Sequence, residues 1–383
     1  MRLRTVLLTL LLGEALLASW WISRAGDRRG PPPPPYATTN PFTASPLATF
    51  DEPWAIAFIP GTRLALISER SGHLKLWQEG GPVREVLGVP RVVHEDQGGL
   101  GDIVLAPDYA ASGMVYLSWA EAGPRGAAGA AVGRAKLLLA GETPRLEDLQ
   151  VVWRQEPKVT TRGHYSHRLA FSPDGRYLFV ASGERQMMTP AQDLGVNLGK
   201  IVRLLPDGTP APGNPFAARG GMAAQVWSLG HRNVLGLHFD PEGRLWDLEH
   251  GPRGGDELNL VESGKNYGWP VVSDGDNYDG TPIPRHKTRP DFAAPKVSWN
   301  PIIAPGDFIF CRCEKFPEWR GKVLIAALAA QAIVMVDVDG GKAREAARYN
   351  MRERIRTLAE RDDGALFALE DGSGGRLLRL TPR

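Results

Sequence analysis

Cysteine is almost absent: the 383 residues contain two, Cys311 and Cys313. A bridge closing one intervening residue is strained, and two thiolates lack the other ligands of a zinc site. A disulfide scaffold and a zinc centre are therefore excluded, and the pair is expected to be two small side chains in a strand. An excess of one charge is lacking too. With 45 Lys+Arg against 43 Asp+Glu the net charge is +2, so no field points to nucleic acid as a partner. Hardly any segment keeps a helical period over a useful length. Hydrophobic residues at 43% and charged residues at 23% exclude disorder and a polytopic membrane protein for the bulk of the chain.

What the chain does contain is turn-forming residues, 44 Gly and 32 Pro, about a fifth of the total and a composition that favours β structure. The N-terminus differs from the rest. Arg2 and Arg4 precede an apolar stretch from Thr5 to Ile22, and Ser23-Arg24-Ala25 offers small residues for cleavage after Ala25. Residues 1–25 are expected to be an export signal or, with Arg24, Arg28 and Arg29 following, an uncleaved anchor that tethers the chain through residues 5–22. Either way the remainder is expected in the periplasm or otherwise outside the cytoplasm. Residues 26–52, with Pro31 to Pro35, read as a stiff linker.

From Trp54 onward one pattern returns: an apolar run, a Pro-Asp-Gly-like turn, then a second alternating run. The clearest copies are Leu169 to Ser182, Leu237 to Leu248 and Thr357 to Leu369. Asp-Gly or Glu-Gly supplies the left-handed conformation of a tight hairpin, and the flanks alternate with period two. Looser versions run from Ala55 to Ile67, Ile103 to Trp119 and Phe308 to Met335. About six copies at irregular spacings of roughly 50 to 70 residues match four-stranded blades. The expected fold is all-β, a six-bladed β-propeller over residues 53–383, with two β-sandwiches as the alternative. Glu121 to Arg134 and Tyr267 to Val297 are expected to be loops on its faces.

The densest chemistry lies in Leu229 to Pro270. His231-Arg232-Asn233 precedes one strand, and the acidic, glycine-rich Glu249-His250-Gly251-Pro252-Arg253-Gly254-Gly255-Asp256-Glu257 follows another. The second run lacks the Lys-Ser/Thr of a phosphate loop. Carboxylates beside exposed backbone carbonyls suit Ca²⁺ better; a solvated turn is the plainer alternative.

This segment closely resembles the soluble, pyrroloquinoline quinone (PQQ)-dependent aldose sugar dehydrogenases of the glucose/sorbosone dehydrogenase family, on the runs GHRN and EHGPRGGDELN…GKNYGWP. The resemblance continues through Gln97-Gly98-Gly99-Leu100-Gly101, His164-Tyr165-Ser166-His167-Arg168-Leu169, Ala191-Gln192-Asp193-Leu194, Phe316-Pro317-Glu318-Trp319 and Arg354-Ile355-Arg356. It implies a six-bladed propeller with PQQ across its mouth on a Ca²⁺ held by the carbonyls of Gly251 and Pro252. It implies His164 as the base for the sugar's anomeric hydroxyl, and Arg232, Asn233 and Gln97 as contacts to the quinone. Arg354 and Arg356 would lie near the cofactor carboxylates, and Glu257 and Tyr267 at a second, structural Ca²⁺. Asp256 either orients His164 or ends a turn. The implied reaction is oxidation of aldoses to lactones, with an external electron acceptor.

The chain also departs from the family pattern. His167 stands where glycine is usual, Val234-Leu235 replaces a Pro-Gln pair, Ala329 falls near a lysine of some members, and Thr357 replaces an aspartate; the run around Asn300 and Ile302 is altered. These losses leave a second reading open, a propeller without quinone binding that acts as a sugar-binding or envelope interaction module.

Overall fold

The computed structural model describes residues 35–141 and 143–383. The signal or anchor expected at residues 1–25 lies outside the described residues.

In chain order β1 (Phe42–Asp51) precedes the first blade, β2 (Pro53–Phe58), β3 (Leu64–Glu69), β4 (His73–Gln78) and β5 (Val83–Glu85). The second blade is β6 (Leu100–Leu105), β7 (Met114–Ala122), β8 (Ala128–Leu138) and β9 (Arg145–Arg154). The third is β10 (Ser166–Phe171), β11 (Leu178–Ser182), β12 (Lys200–Leu204) and β13 (Val226–Leu229). The fourth is β14 (Val234–Phe239), β15 (Leu245–Glu249), β16 (Asp256–Val261) and β17 (Val297–Trp299), and the fifth β18 (Pro305–Phe310), β19 (Val323–Ala327), β20 (Ala332–Asp339) and β21 (Lys342–Asn350). The sixth, β22 (Ile355–Glu360), β23 (Leu366–Glu370) and β24 (Ser373–Pro382), takes β1 as its outer strand. The innermost strands β2, β6, β10, β14, β18 and β22 pack side by side in a closed ring. The fold is the expected six-bladed propeller.

Closure by β1 corrects the linker boundary at residue 52, because Phe42–Asp51 pairs antiparallel with β24 from Phe42↔Pro382 to Asp51↔Ser373. Its sequence hides this role. Only Phe42 and Phe50 are buried, so an outer strand with one thin contact face shows no apolar alternation. Glu121 to Arg134 is likewise no loop; Met114–Ala122 and Ala128–Leu138 form a long hairpin, paired from Met114↔Lys136 to Ala122↔Ala128. Tyr267 to Val297 is an irregular insert between β16 and β17.

Six apolar clusters lie between successive blades, and middle strands divide their side chains between two of them. On β3, Leu66 packs toward the second blade while Ala65 and Ile67 pack toward the sixth. On β11, Val180 faces the second blade, and Phe179 and Ala181 face the fourth. Burial on both faces stabilises the stack through area removed from water, about 25 cal/mol per Å² of apolar surface. The Asp174-Gly175, Glu242-Gly243 and Asp363-Gly364 turns put glycine at φ +71°, +78° and +73°, the left-handed region that the tight turns require.

Every innermost strand carries a register shift near its start, at Pro53/Ala55, Leu100/Ile103, Ser166/Leu169, Val234/Gly236, Pro305/Asp307 and Ile355/Thr357. A bulge bends its strand and re-aims side chains. Repeated six times at one end of the ring, it turns the first residues of each blade toward the axis.

Cys311 and Cys313 correct the expectation of two separate side chains in a strand. They follow the end of β18, are buried, and are joined as a disulfide with Cα atoms 5.0 Å apart. Cys313 has φ +50°, which folds the backbone back sharply enough for the sulfurs to meet.

Candidate active site

The bulged ends gather side chains far apart in sequence. A cleft of about 290 Å³ is lined by Gln97, Tyr165, His167, Asn233, Arg354 and Arg356, among others. A smaller pocket beside it is lined by Arg232, Gly251, Glu257 and Tyr267, and His250 borders both. One mouth therefore collects residues from five of the seven sequence runs that carry the resemblance.

His164 precedes β10 in a loop with unusual backbone: His164, Ser166 and His167 have φ of +50°, +57° and +52°. Left-handed residues without glycine are strained and persist where surroundings over-determine them. Here Gln97 Oε1 accepts the His164 amide N–H at 2.8 Å, and Asn233 Oδ1 accepts the Ser166 hydroxyl at 3.3 Å. The His164 ring is buried, and its Nδ1 makes a short hydrogen bond to Glu184 Oε1. Burial pulls the imidazole below its ordinary value, Glu184 works against that, and Arg232 adds to it. Glu184 itself is held down, against burial, by its bonds to His164 and the Met188 amide. It stays an ionised acceptor.

Glu184 was missed from the sequence, where nothing in Ser182-Gly183-Glu184-Arg185 marks it. Its amide N–H also donates to the Arg232 carbonyl at 3.0 Å, so one residue bridges His164 and Arg232. Asp256, expected to orient His164 or end a turn, does not touch that ring. Its Oδ1 accepts the Gly251 amide at 3.0 Å, and Oδ2 accepts those of Ile303 and Ala304 at 2.8 and 2.7 Å. It faces the seam between the fourth and fifth blades, where burial raises it to about 6.

Arg232 donates to the His250 carbonyl at 3.2 Å and to the Tyr278 hydroxyl at 3.2 Å. Its amide rests on Glu249 Oε2 at 2.6 Å. Beneath it, His231 Nδ1 stands 3.2 Å from Glu249 and 3.3 Å from Asp247, with the ring stacked on Tyr267 at 4.8 Å. Burial and the neighbouring Glu249 push Asp247 and Glu257 well above the carboxylate range. Arg354 and Arg356 share one acceptor, Asp371, at 2.8 and 2.6 Å. Arg356 is buried and Arg354 half exposed.

His167 stacks on Trp54 with ring centroids 5.2 Å apart, shares a hydrogen bond of 2.8 Å with Ser118 Oγ, and covers Gly101, where any Cβ would collide with it. Burial, then Arg168, lower its pKa to about 3. It borders the cleft as a wall. Leu235 also lines the cleft, Thr357 donates to Asp307 Oδ2 at 2.7 Å, and Ile302 is exposed. The Ala329 amide donates to the Ile303 carbonyl at 3.0 Å.

Two features of the mouth fit an oxygen-rich, anionic group with a hard cation. Arg232 Nε and the Tyr165 hydroxyl are buried without a hydrogen-bond partner. Among the described residues, the carbonyls of Gly251 and Pro252 accept no hydrogen bond either. Tyr267 and Glu257, expected at a second calcium, line the same small pocket, and the Tyr267 carbonyl also lies 3.2 Å from His286 Nε2.

Comparison with known proteins extends over most of the chain. An aldose sugar dehydrogenase of Escherichia coli K12 is 41% identical over 339 residues, covering 87% of this chain and 91% of that protein. The apo-form crystal structure of the soluble E. coli enzyme superposes with a TM-score of 0.83 at 39% identity, over 89% of this chain and 100% of that one. The PQQ-bound form of the Streptomyces coelicolor aldose sugar dehydrogenase superposes with a TM-score of 0.71 at 28% identity, over 91% and 100%. The Glucose / Sorbosone dehydrogenase family profile matches residues 50–379, and the chain belongs to that family of sugar-oxidising oxidoreductases.

Proposed function

We propose that this chain is an exported, PQQ- and Ca²⁺-dependent aldose dehydrogenase that oxidises the anomeric carbon to a lactone and hands electrons to an external acceptor. The observation that supports this reading is the Glu184 bridge, which ties His164 to Arg232, a residue lining the smaller pocket. When bound, PQQ on its Ca²⁺ supplies the hydride acceptor and the Lewis acid. Gly251 and Pro252 would hold the cation by their carbonyls, since Ca²⁺ takes backbone oxygens readily. Arg232, Asn233, Gln97 and the Arg354/Arg356 pair would hold the quinone.

The protein's own part is proton handling. Nδ1 of His164 is committed to Glu184, so Nε2 is the nitrogen left to take the anomeric hydroxyl proton. An ionised Glu184 then stabilises the imidazolium that forms, as in other base–orienter pairs. A pKa lowered by burial keeps the ring neutral, and hence competent, at working pH. Arg232 places a fixed positive charge in the same desolvated space, where charge stabilisation is strongest.

The direct test is reconstitution of the apo-protein with PQQ and Ca²⁺, followed by aldose-dependent dye reduction. Turnover with several aldoses is expected. No PQQ binding would favour the sugar-binding or envelope module, and a stoichiometric PQQ complex without turnover would count against both readings. Export rests on Thr5 to Ile22, and fractionation of cells expressing the full chain checks it.

A further inference from the structure

The loop from Thr161 to Tyr165, which delivers His164 to the mouth, has no regular structure, yet each of its five carbonyls accepts a hydrogen bond. The Arg162 carbonyl takes the Gln97 amide at 3.2 Å, and the Tyr165 carbonyl the Gly183 amide at 3.2 Å. The other three all go to Arg185. Its Nη2 donates to the Thr161 carbonyl, its Nε to the Gly163 carbonyl at 3.0 Å and its amide N–H to the His164 carbonyl at 3.3 Å. Its Nη1 reaches the Ala128 carbonyl at the start of β8, at 3.0 Å. In return the Thr161 hydroxyl donates to the Arg185 carbonyl. The guanidinium is fully buried, 3.5 Å from the centroid of the Tyr165 ring. Burial lowers its pKa to about 10, so it stays charged.

A buried cation is costly unless its donors are satisfied, and here all three nitrogens are spent on main-chain oxygens. A planar fork suits that task, because it serves acceptors in different directions at once. The backbone it holds is strained on both sides: His164 has φ +50°, and Arg185 and Gln186 have φ +61° and +57°. Such conformations persist where neighbours over-determine them. Gln186 Oε1 adds one more tie by accepting the Gly163 amide at 3.2 Å. Glu184 and Arg185, adjacent in sequence, therefore hold His164 twice, one at the ring and the other at the main chain. The Glu184 bond fixes Nδ1, but where Nε2 lies depends also on the backbone that carries the ring. A misplacement of about 1 Å can cost 10²-fold in rate.

We propose that Arg185 is a positioning residue for the base, a clamp on the loop backbone that sets where His164 Nε2 lies. This rests on His164 being the base, and the experiment separates the two. Arg185→Met and Arg185→Lys are compared with Arg203→Met, a control that loses a guanidinium stacked between Tyr177 and Trp227 near the far end of β12. One readout is steady-state kinetics with PQQ and Ca²⁺. The other is imidazole NMR of the apo-protein, where the His164 Nδ1 proton held by Glu184 is expected downfield and slow to exchange, assigned by its loss in His164→Ala. In Arg185→Met, kcat is expected to fall about 10–100-fold with KM and PQQ affinity within roughly threefold of wild type, and the resonance to move upfield or broaden. Arg185→Lys keeps a cation beside Tyr165 without the fork, and is expected to fall between the two. Arg203→Met is expected to lower Tm while leaving kcat and the resonance as they are. Wild-type kcat or an unchanged resonance in folded Arg185→Met would overturn the proposal, as would an equal loss of kcat in Arg203→Met. If Arg185→Met does not fold, Arg185→Lys decides by the same two readouts. A wild type that binds PQQ without turnover would sink the base, and the resonance would still decide the clamp.

Discussion

Arg168 holds Asp307 across the axis of the propeller, with Nη1 3.4 Å from Oδ2. The same nitrogen lies 3.3 Å from Asp102 Oδ1, Nε donates to the Leu235 carbonyl at 2.6 Å, and Nη2 to the Gly306 carbonyl at 2.9 Å. Its guanidinium sits 3.8 Å from the centroid of Trp54. Asp307 in turn accepts from Thr357. One side chain from β10 thereby reaches β2, β6, β14 and β18 directly, and β22 through Asp307. Burial and the nearby Asp307 raise Asp102, whereas Arg168 and His238 hold Asp307 down against burial.

Arg168→Met should therefore destabilise far more than its size change suggests. It leaves Asp307 buried without its cation and two carbonyls without donors, and breaking a buried pair from one side costs about 3–5 kcal/mol. Arg168→Lys should recover little, because an ammonium cannot reproduce the planar fork that reaches four acceptors. Chemical denaturation, read as a shift in midpoint, checks both. A midpoint unchanged in Arg168→Met would mean that the blades close without this plug.

Arg168 belongs to the run His164 to Leu169, yet nothing there marks it as the hub. Its partners lie between 66 and 139 positions away, and no periodicity encodes such a meeting. The repeat was legible because a tight hairpin needs a left-handed residue, and Asp-Gly or Glu-Gly supplies one at Gly175, Gly243 and Gly364. β1 was not, since a strand with two buried residues in ten carries no signature. The same limit explains Asp256 and Glu184. Both are acidic residues at or near the end of a strand, and which seam a carboxylate enters depends on bulges that shift register without altering composition. Residue types suited to the mouth could be read from motifs. Which acid meets His164 could not.

The Glu184–His164 pair sets a pH profile. A base must be neutral to act, and burial lowers the His164 pKa from 6.5 while Glu184 opposes the shift. The acidic limb of kcat/KM should fall below pH 6.5. Glu184→Gln removes the opposing charge, so the limb should move to still lower pH while kcat drops, since a weaker base is left in a less fixed orientation. His164→Ala should lose about 10²–10⁴ in turnover while retaining PQQ, checked by cofactor absorbance. A limb moving upward in Glu184→Gln would contradict the assignment.

Calcium at the mouth should appear as stability as well as activity. A cation bound by Gly251 and Pro252 carbonyls stabilises the folded state by mass action, so chelator should lower Tm and added Ca²⁺ restore it. Gly251→Ala sharpens the test, because its Cβ would collide with the Gly254 and Gly255 backbone. The variant should shift these carbonyls and lose most of the calcium-dependent change in Tm. Differential scanning fluorimetry with and without chelator measures this directly, and equal responses in wild type and variant would move the ion elsewhere.

His167 offers the last discrimination, because it is a second imidazole at the mouth three residues from His164. Its pKa of about 3 makes it a poor acceptor of an anomeric proton at neutral pH, and its hydrogen bond to Ser118 and stack on Trp54 fix it as wall. Replacement by glycine loses the stack, about 0.5–1.5 kcal/mol beyond area burial, and releases a side chain held at φ +52°, worth about 1–2 kcal/mol in the opposite direction. Ser118 Oγ keeps the Asp102 amide as a donor at 2.8 Å. His167 is buried, so emptying its site adds the cost of a large-to-small change; His167→Gly should lose about 2–5 kcal/mol, and His167→Ala, which keeps a Cβ at the same backbone angle, should be about 1 kcal/mol less stable than the glycine variant. Turnover in His167→Gly should stay within roughly tenfold of wild type, well short of the loss expected for His164→Ala. Steady-state kinetics on the two variants side by side decide the matter: abolished turnover in His167→Gly with His164→Ala active would mean that the base has moved to the wall residue.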